Sequence, residues 1–185
     1  MGEKIFEDFD FIFAENGMVS YHKGNLIGKS SIRDHLGEDV IQSIENFVKT
    51  YVDNLYLPVK CSNNIEIRNG LINISPIGRD CTYGEREEFN IYDETHKIRE
   101  KMISEMRHVF PDLEYCIGGM ISFDVYPKGW DKTFCLQYLK EYENINFYGD
   151  KTHPGGNDHQ IYIDKRVTGH RVECWNDTKI LLQKL

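Results

Sequence analysis

The sequence predicts a mixed fold, an antiparallel sheet covered on one face by helices and followed by the back half of an α/β sheet. Three patterns predict it. Ile65, Ile67, Ile72 and Ile74 alternate with polar residues on either side of Asn69-Gly70, an apolar stripe recurs at spacings of three and four between Glu38 and Leu55, and beyond Pro127 a short strand from Ile145 to Tyr148 stops at Gly149 and Asp150. The first reads as a hairpin with one apolar face and the second as an amphipathic helix able to cover it. The third is a strand of the kind whose carboxyl end carries ligands in open α/β sheets.

In chain order, Phe9, Phe11, Ile12 and Phe13 form a short apolar run ended by Glu15-Asn16-Gly17, and Met18, Val19 and Tyr21 return as a second strand before a turn at Lys23, Gly24 and Asn25. The stripe Val40, Ile41, Ile44, Phe47, Val48, Tyr51, Val52 and Leu55 gives a long helix, with Pro58 just beyond its end. Asn69 and Gly70 suit the two positive-φ positions of a type I′ turn, which sets Arg68 opposite Leu71, Ile67 opposite Ile72, Glu66 opposite Asn73 and Ile65 opposite Ile74. The isoleucines then share the face that helices must cover, and Glu66, Arg68 and Asn73 project from the other. Thr82 and Glu85 have capping-box spacing before a short helix, and a further helix is expected from about Glu94 to Val109. The next strand puts Ile121, Phe123 and Val125 on one side and Ser122, Asp124 and Tyr126 on the other. After Pro127, Asp131 is a natural N-cap for a helix containing Phe134, Leu136, Tyr138 and Leu139. The strand that ends at Asp150, a last strand from Gly169 to Cys174 and a helix from about Asp177 to the end complete the order.

A length of 185 residues allows one domain plus at most a fragment of another. The formal net charge of −8 argues against a dedicated binder of nucleic acid or of an anionic membrane, both of which want a basic face. Cys61, Cys81, Cys116, Cys135 and Cys174 are odd in number and widely spaced, with no C-x-x-C pair and no histidine at zinc-finger spacing, which reads as reduced structural thiols. Lys4, Glu7, Asp8 and Asp10 interrupt any apolar run near the first residue, and no stretch approaches the ~18 consecutive apolar residues of a membrane span. The cytosol is the expected compartment.

Chemistry concentrates in four places. Arg68, Arg79 and Arg86 flank the hairpin of an otherwise acidic chain, where they either hold a phosphate bidentately or pair with Glu85, Glu87 and Glu88. Ser122 and Asp124 share a strand face and suit sugar hydroxyls or a phosphate oxygen. Gly149-Asp150-Lys151-Thr152, followed by Pro154-Gly155-Gly156-Asn157-Asp158, joins a strand-terminal carboxylate to a glycine loop, an arrangement that either holds Mg²⁺ or is a turn with Asx caps. Lys132 sits at a helix start, where the dipole favours anions, so it is solvated or faces a bound anion. The seven histidines have no H-E-x-x-H spacing, and neither G-x-S-x-G nor a P-loop occurs.

Together these motifs resemble the eukaryotic phosphomannomutases of the haloacid-dehalogenase superfamily. The matching words are Phe13-Ala14-Glu15-Asn16-Gly17, His35-Leu36-Gly37-Glu38, Ile67-Arg68-Asn69-Gly70, Ser75-Pro76-Ile77-Gly78-Arg79, Gly118-Gly119-Met120-Ile121-Ser122-Phe123-Asp124-Val125, Gly129-Trp130-Asp131-Lys132, and Gly149-Asp150-Lys151-Thr152 with Pro154-Gly155-Gly156-Asn157-Asp158-His159. The resemblance implies a cytoplasmic isomerase that interconverts mannose 6-phosphate and mannose 1-phosphate for GDP-mannose synthesis and glycosylation, through a hexose bisphosphate and a phosphoaspartyl enzyme. It implies a Mg²⁺-dependent α/β core made from residues 1–22 and 128–185, with an α+β cap, residues 23–127, inserted to bind substrate and to form a homodimer. For that dimer Ile32, Leu36 and their neighbours are the expected apolar patch. By motif, Arg68, Arg79, Arg86, Ser122 and Asp124 grip the sugar phosphate remote from the chemistry, Lys132 neutralises the phosphoryl group, Asp150 is the magnesium ligand and Asp158 orients it. Tyr162 and Asp164 match a second cation site, although Val167 replaces a hydroxyl residue there.

One family element is missing from the words above. The nucleophile and acid/base aspartates of the family lie in a D-x-D-G-T-like motif followed by a Gly-Gly-Ser-Asp-like segment, and neither occurs here. The expectation is therefore a truncated core, short of at least one βαβ unit of about 30 residues, and no turnover by these residues alone, because the covalent step needs a carboxylate nucleophile. Two alternatives are a non-catalytic sugar-phosphate-binding and dimerisation module, and a sugar phosphatase of the same superfamily.

Overall fold

A computed structural model describes residues 4–183; the first three residues, where the expected core begins, and the last two, where the final helix was expected to end, lie outside the described residues. The chain opens with a one-turn helix, α1 (Ile5–Asp8), and then strands β1 (Phe11–Ala14), β2 (Val19–His22) and β3 (Asn25–Lys29), which form an antiparallel sheet in the order β1-β2-β3. The β1–β2 hairpin is the one the apolar runs predict, with Phe11 opposite His22. The third strand is not in that reading: the turn narrows to Lys23 and Gly24, both at positive φ, and Asn25 pairs with His22.

Helices α2 (Ile32–Leu36) and α3 (Glu38–Asp53) lead into the second sheet. Its strands are β4 (Ile65–Ile67), β5 (Ile72–Ile74), β6 (Leu113–Gly118) and β7 (Ser122–Pro127), antiparallel in the order β4-β5-β7-β6, and helices α4 (Tyr83–His96) and α5 (Ile98–Val109) connect β5 to β6. The register Ile67 to Ile72, Glu66 to Asn73 and Ile65 to Ile74 is the predicted one. Ile72, Ile74, Phe123 and Val125 pack in one buried cluster with Ile41, Ile44 and Val48 of α3 and Met102 and Met106 of α5. Each such side chain contributes about 1.5–3 kcal/mol by leaving water. Ile32 is fully buried in that cluster with Leu36 packed against it, so the apolar patch expected there is core instead. A second cluster of Leu57, Ile77, Phe89, Ile98 and Ile121 seats α4 beneath the loop that carries Arg79.

Two local expectations are corrected. Neither Asn69 nor Gly70 has positive φ, so the turn is not type I′, although Arg68 N still donates to Leu71 O at 2.9 Å. Tertiary contacts shape this turn: the Glu15 carboxylate accepts from Gly70 N at 2.7 Å, Asn69 O accepts from Ile32 N at 2.6 Å, and Met18 lies so close that a β-carbon on Gly70 would stand 2.4 Å from it. Glycine is required here for close approach. The helix after Thr82 is also longer than expected. Its capping box with Glu85 forms, but it runs 14 residues to His96, and the break falls at Lys97 in the left-handed region rather than near Glu94. The Asp93 carboxylate fixes that break by accepting from Arg99 N at 2.9 Å and from Arg99 Nε at 2.7 Å.

Past Pro127, Asp131 caps a 3-10 helix, Lys132–Tyr138, accepting from Thr133 N at 2.8 Å. Strands β8 (Asn146–Gly149) and β9 (Thr168–Arg171) pair in parallel, with helix α6 (His159–Tyr162) between them and helix α7 (Trp175–Leu182) after them. This portion meets the four-stranded sheet where Ile117 N donates to Gly155 O at 3.0 Å, and the first hairpin where Asn16 Nδ2 donates to Trp130 O at 3.1 Å. No helix among the described residues is long and apolar enough to cross a membrane.

Candidate functional site

The strand register places Glu66, Asn73, Asp124 and Cys116 side by side across all four strands of the second sheet, on the face opposite the isoleucines. Glu66 holds two guanidiniums together. Arg68 Nε and Nη2 donate to its carboxylate at 3.1 and 2.9 Å, and Arg79 forms an ion pair with it, Nε lying 2.7 Å from Oε2. The hydrogen bonds from Arg68, with the charges of Arg68 and Arg79, hold Glu66 below the usual carboxylate range against the opposing effect of burial. Arg86 turns away from the row, donating from Nε to Cys81 O at 3.2 Å and from Nη2 to Arg79 O at 2.7 Å, so it fixes the backbone of the loop that presents Arg79.

Asn73 joins the next pair. Its Nδ2 donates to Ser122 Oγ at 3.1 Å and to Asp124 Oδ1 at 2.6 Å, and its Oδ1 accepts from Arg79 Nη1. Burial raises the pKa of Asp124 above the usual range, opposed by the hydrogen bond from Asn73 and the charges of Arg68, Arg79 and Lys132. Burial likewise pushes the Cys116 thiol up to about 12, which leaves it protonated and unreactive.

Across the seam, the end of β8 builds a second cluster. Asp158 is buried and accepts from Lys132 Nζ at 2.5 Å, and its other oxygen accepts from Asp150 N and Lys151 N at 3.1 Å each. One carboxylate thereby sets both the ammonium of Lys132 and the loop that presents Asp150. The fit demands glycine at 149, since a β-carbon there would lie 2.6 Å from Asp158 Oδ2. Asp150 is exposed at the mouth of a cleft of about 320 Å³ that Lys132 also lines. The two clusters approach at Gly118, whose β-carbon position is 3.8 Å from Asp124 Oδ2 and 3.6 Å from Asn157 Nδ2 of the glycine loop.

An arginine-lined polar sheet face opposite a lysine and a strand-terminal aspartate is suited to holding a phosphorylated molecule at one end and handling phosphoryl charge at the other. The comparisons with known proteins agree. A sequence profile described as eukaryotic phosphomannomutase matches residues 1–185. The chain belongs to the eukaryotic phosphomannomutase family. It is 48% identical over 180 residues to the phosphomannomutase of Dendrobium officinale, covering 96% of this chain and 71% of that protein. It is 48% identical over 189 residues to that of Drosophila melanogaster, covering 100% and 74%. Among solved structures, the N-terminally truncated, IMP-bound IMP-nucleotidase of Plasmodium falciparum superposes with a TM-score of 0.55 at 16% identity, over 94% of this chain and 47% of that one. The chain spans about half the length of that structure, and the likeness is one of fold alone.

Within that family frame, the residues expected to bind cations differ in fit. Asp150 offers a carboxylate to which no side chain donates among the described residues, and Mg²⁺ takes one or two carboxylates with waters and substrate phosphate completing its shell. Asp150 therefore fits as one ligand, with Asp158 behind it. The second set does not fit. Both oxygens of Asp164 accept from Arg166, at 2.8 and 2.7 Å, and that hydrogen bonding pulls the acid down to about 2. A carboxylate already paired with a guanidinium is a poor cation ligand, and the Tyr162 ring packs where a Gly169 β-carbon would stand, at 2.5 Å. No cluster of three or more metal-ligating side chains occurs among the described residues.

Sequence reading named the arginines, Ser122 and Asp124 but gave no role to the residues that organise them. Glu66 and Asn73 carried a signal, because strand alternation already put both on the face with Arg68. Glu15, which reaches Asn69 and Gly70 from the first hairpin, carried none, since its partners lie more than fifty positions away.

Proposed function

We propose that this chain takes part in the interconversion of mannose 6-phosphate and mannose 1-phosphate in the cytoplasm, ahead of GDP-mannose synthesis and glycosylation. The observation that carries this reading is the pair Arg68 and Arg79 held side by side by Glu66 on the sheet face nearest Lys132. A mutase must grip whichever end of the sugar is not reacting, so the grip has to recognise a phosphate without regard to the carbon that bears it. Guanidiniums meet that need because they match the oxygens of a phosphate bidentately wherever it is attached. Arg86 supports the loop that presents Arg79 to the anion, while Ser122 and Asp124 face the hydroxyls between the two phosphates. Lys132, steadied by Asp158, neutralises the phosphoryl group in transit. Mg²⁺, held by Asp150 and phosphate oxygens, would add a compact positive charge at the same place.

The carboxylate that takes up the phosphoryl group is not among these side chains, and no D-x-D-G-T word lies within the 185 residues. We therefore read them as the substrate-holding and charge-neutralising part of a phosphoaspartyl isomerase, one that binds mannose phosphates but turns none over by itself. Calorimetric titration of mannose 6-phosphate into the chain and into Arg68→Ala tests the binding. Heat from the first and at least tenfold weaker binding by the second are expected, and no heat from the first overturns the reading. Production of mannose 6-phosphate from mannose 1-phosphate by the purified residues, followed through coupled isomerases to NADPH, would overturn the inactivity.

The intact grip without a nucleophile also favours a second reading, a non-catalytic sugar-phosphate-binding module. Addition of a segment bearing a D-x-D-G-T motif separates the two, since only the mutase reading gains turnover. Homodimerisation through the cap is part of the proposal, and a monomer at micromolar concentration in the ultracentrifuge overturns it.

A further inference from the structure

We infer that Asn73 is a positioning residue, whose amide fixes the phosphate-gripping side of the site relative to its sugar-facing side; the inference rests on the reading of this face as a sugar-phosphate grip. Asn73 sits at the centre of the row, 6% exposed, on a strand whose other side chains are locked into the core. Its three bonds reach both sides at once, to Ser122 and Asp124 through Nδ2 and to Arg79 through Oδ1. The partners leave one orientation for the amide, because the nitrogen must face two acceptors and the oxygen must face a guanidinium.

Few side chains do this at that size. Aspartate accepts from Arg79 but has nothing to donate to Asp124, and serine is too short to span the row. Leucine would leave a half-buried guanidinium hydrogen and a half-buried carboxylate without this partner. Asp124 depends on the amide most. It is a half-buried acid faced by Arg68 from the β4–β5 turn, Arg79 from the loop after β5, Lys132 from the 3-10 helix and Cys116 from β6, and its shortest hydrogen bond is the one from Asn73. Without that donor the carboxylate is free to turn out of the row, and the sugar-facing side loses its order. Neither Ser122 nor Asp124 then keeps its place relative to Arg79.

The test compares a ligand that spans both sides with one that touches only the arginines. Calorimetry of the chain and of Asn73→Ser, each titrated with mannose 6-phosphate and with inorganic phosphate, should show at least a tenfold loss for the sugar phosphate and less than a threefold loss for phosphate. Asn73→Asp, nearly the same size as the native residue, should show the same loss for the sugar phosphate. Parallel losses for both ligands, or none, overturn the proposal. Carboxyl ¹³C NMR gives a readout that needs no ligand: the titration midpoint of Asp124 should rise in Asn73→Ser, and an unmoved midpoint also overturns it. Should the native chain take up no sugar phosphate, the functional reading falls, and the positioning role is decided by the Asp124 titration alone.

Discussion

The four-stranded sheet and the two-stranded one differ in how completely they are closed. The first buries fourteen hydrophobic residues in one cluster with α3 and α5 over it, whereas the cluster beside β8 has three buried members, Cys135, Leu136 and Ile161. Helix α7 buries no side chain at all, and its Trp175 is 77% exposed. Among the described residues β8 pairs only with β9, and an apolar groove of about 340 Å³ lies between Phe13 and Phe147. The side chains proposed to grip substrate are thus mounted on a closed core, while Lys132 and Asp150 stand on a sheet with an open edge and uncovered apolar surface. Binding and chemistry make different demands. A grip must be rigid to discriminate, so its scaffold has to be stable in its own right; groups that act on the phosphoryl end need only be brought up to it, and here one buried carboxylate, Asp158, does the holding.

The contrast predicts opposite responses to truncation. Phe123→Ala removes a fully buried ring from the core against the four-stranded sheet and should cost about 3–5 kcal/mol, while Trp175→Ala should stay within about 0.5 kcal/mol. Urea midpoints of both variants check this, and comparable losses would show that α7 is packed as firmly as that sheet. Next in size is the buried pair Asp93 and Arg99, which ties the α4–α5 junction to Gly119 O and Ser122 O, each 3.2 Å from Arg99 Nη1. Asp93→Ala leaves the guanidinium buried with only those carbonyls and should cost about 3 kcal/mol. Because the same guanidinium braces the turn before Ser122, mannose 6-phosphate should also bind more weakly to this variant in calorimetry.

A smaller effect is expected at the seam between the two regions. Gly70→Ala drives a methyl group into Met18 and toward Glu15 O, 2.8 Å from the new β-carbon, and should cost about 1–3 kcal/mol through overpacking. Thermal unfolding of the variant measures it, and an unchanged midpoint would mean that the first hairpin moves freely against the four-stranded sheet.

The same turn shows where the sequence is legible and where it is not. Isoleucine alternation and the α3 stripe are local signals of burial, and they placed the hairpin, its register and its covering helix correctly. Asn69-Gly70 is a local signal too, but Glu15, Met18 and Ile32 reshape the turn from distant positions, and no window of sequence contains those contacts. Lys97 is a similar case, since an αL residue between two helices is held by the Asp93 to Arg99 bonds rather than by its own preference. At the site, residue type and strand parity pointed to Arg68, Ser122 and Asp124. The linking roles of Glu66 and Asn73 became visible only once β7 was known to lie beside β5, because strand order, unlike alternation, is not written in any one strand.

The smallest expected effect concerns the charge that the closed sheet carries at its centre. Burial raises the folded-state pKa of Asp124 above its ordinary value, so the folded chain holds this proton more tightly than the unfolded chain does. The resulting stability is fully present below the ordinary carboxylate range and is lost as pH rises through the folded-state pKa. Glu66, held down chiefly by its hydrogen bonds with Arg68, works in the other direction and loses its contribution as pH falls. Asp124→Asn removes only the first dependence. The variant should melt higher than the native chain at pH 7, and the gap should close as the pH falls below about 3, under the ordinary carboxylate range, where the carboxyl is protonated in both states. Under the proposed function it should bind mannose 6-phosphate more weakly, because a neutral amide replaces the carboxylate proposed to face the sugar hydroxyls. Scanning calorimetry at the two pH values and one titration with the sugar phosphate decide the matter. A lower melting temperature at pH 7 would mean that Arg68, Arg79 and Lys132 stabilise the ionised Asp124 by more than its burial costs, and that the grip is no compromise between stability and recognition.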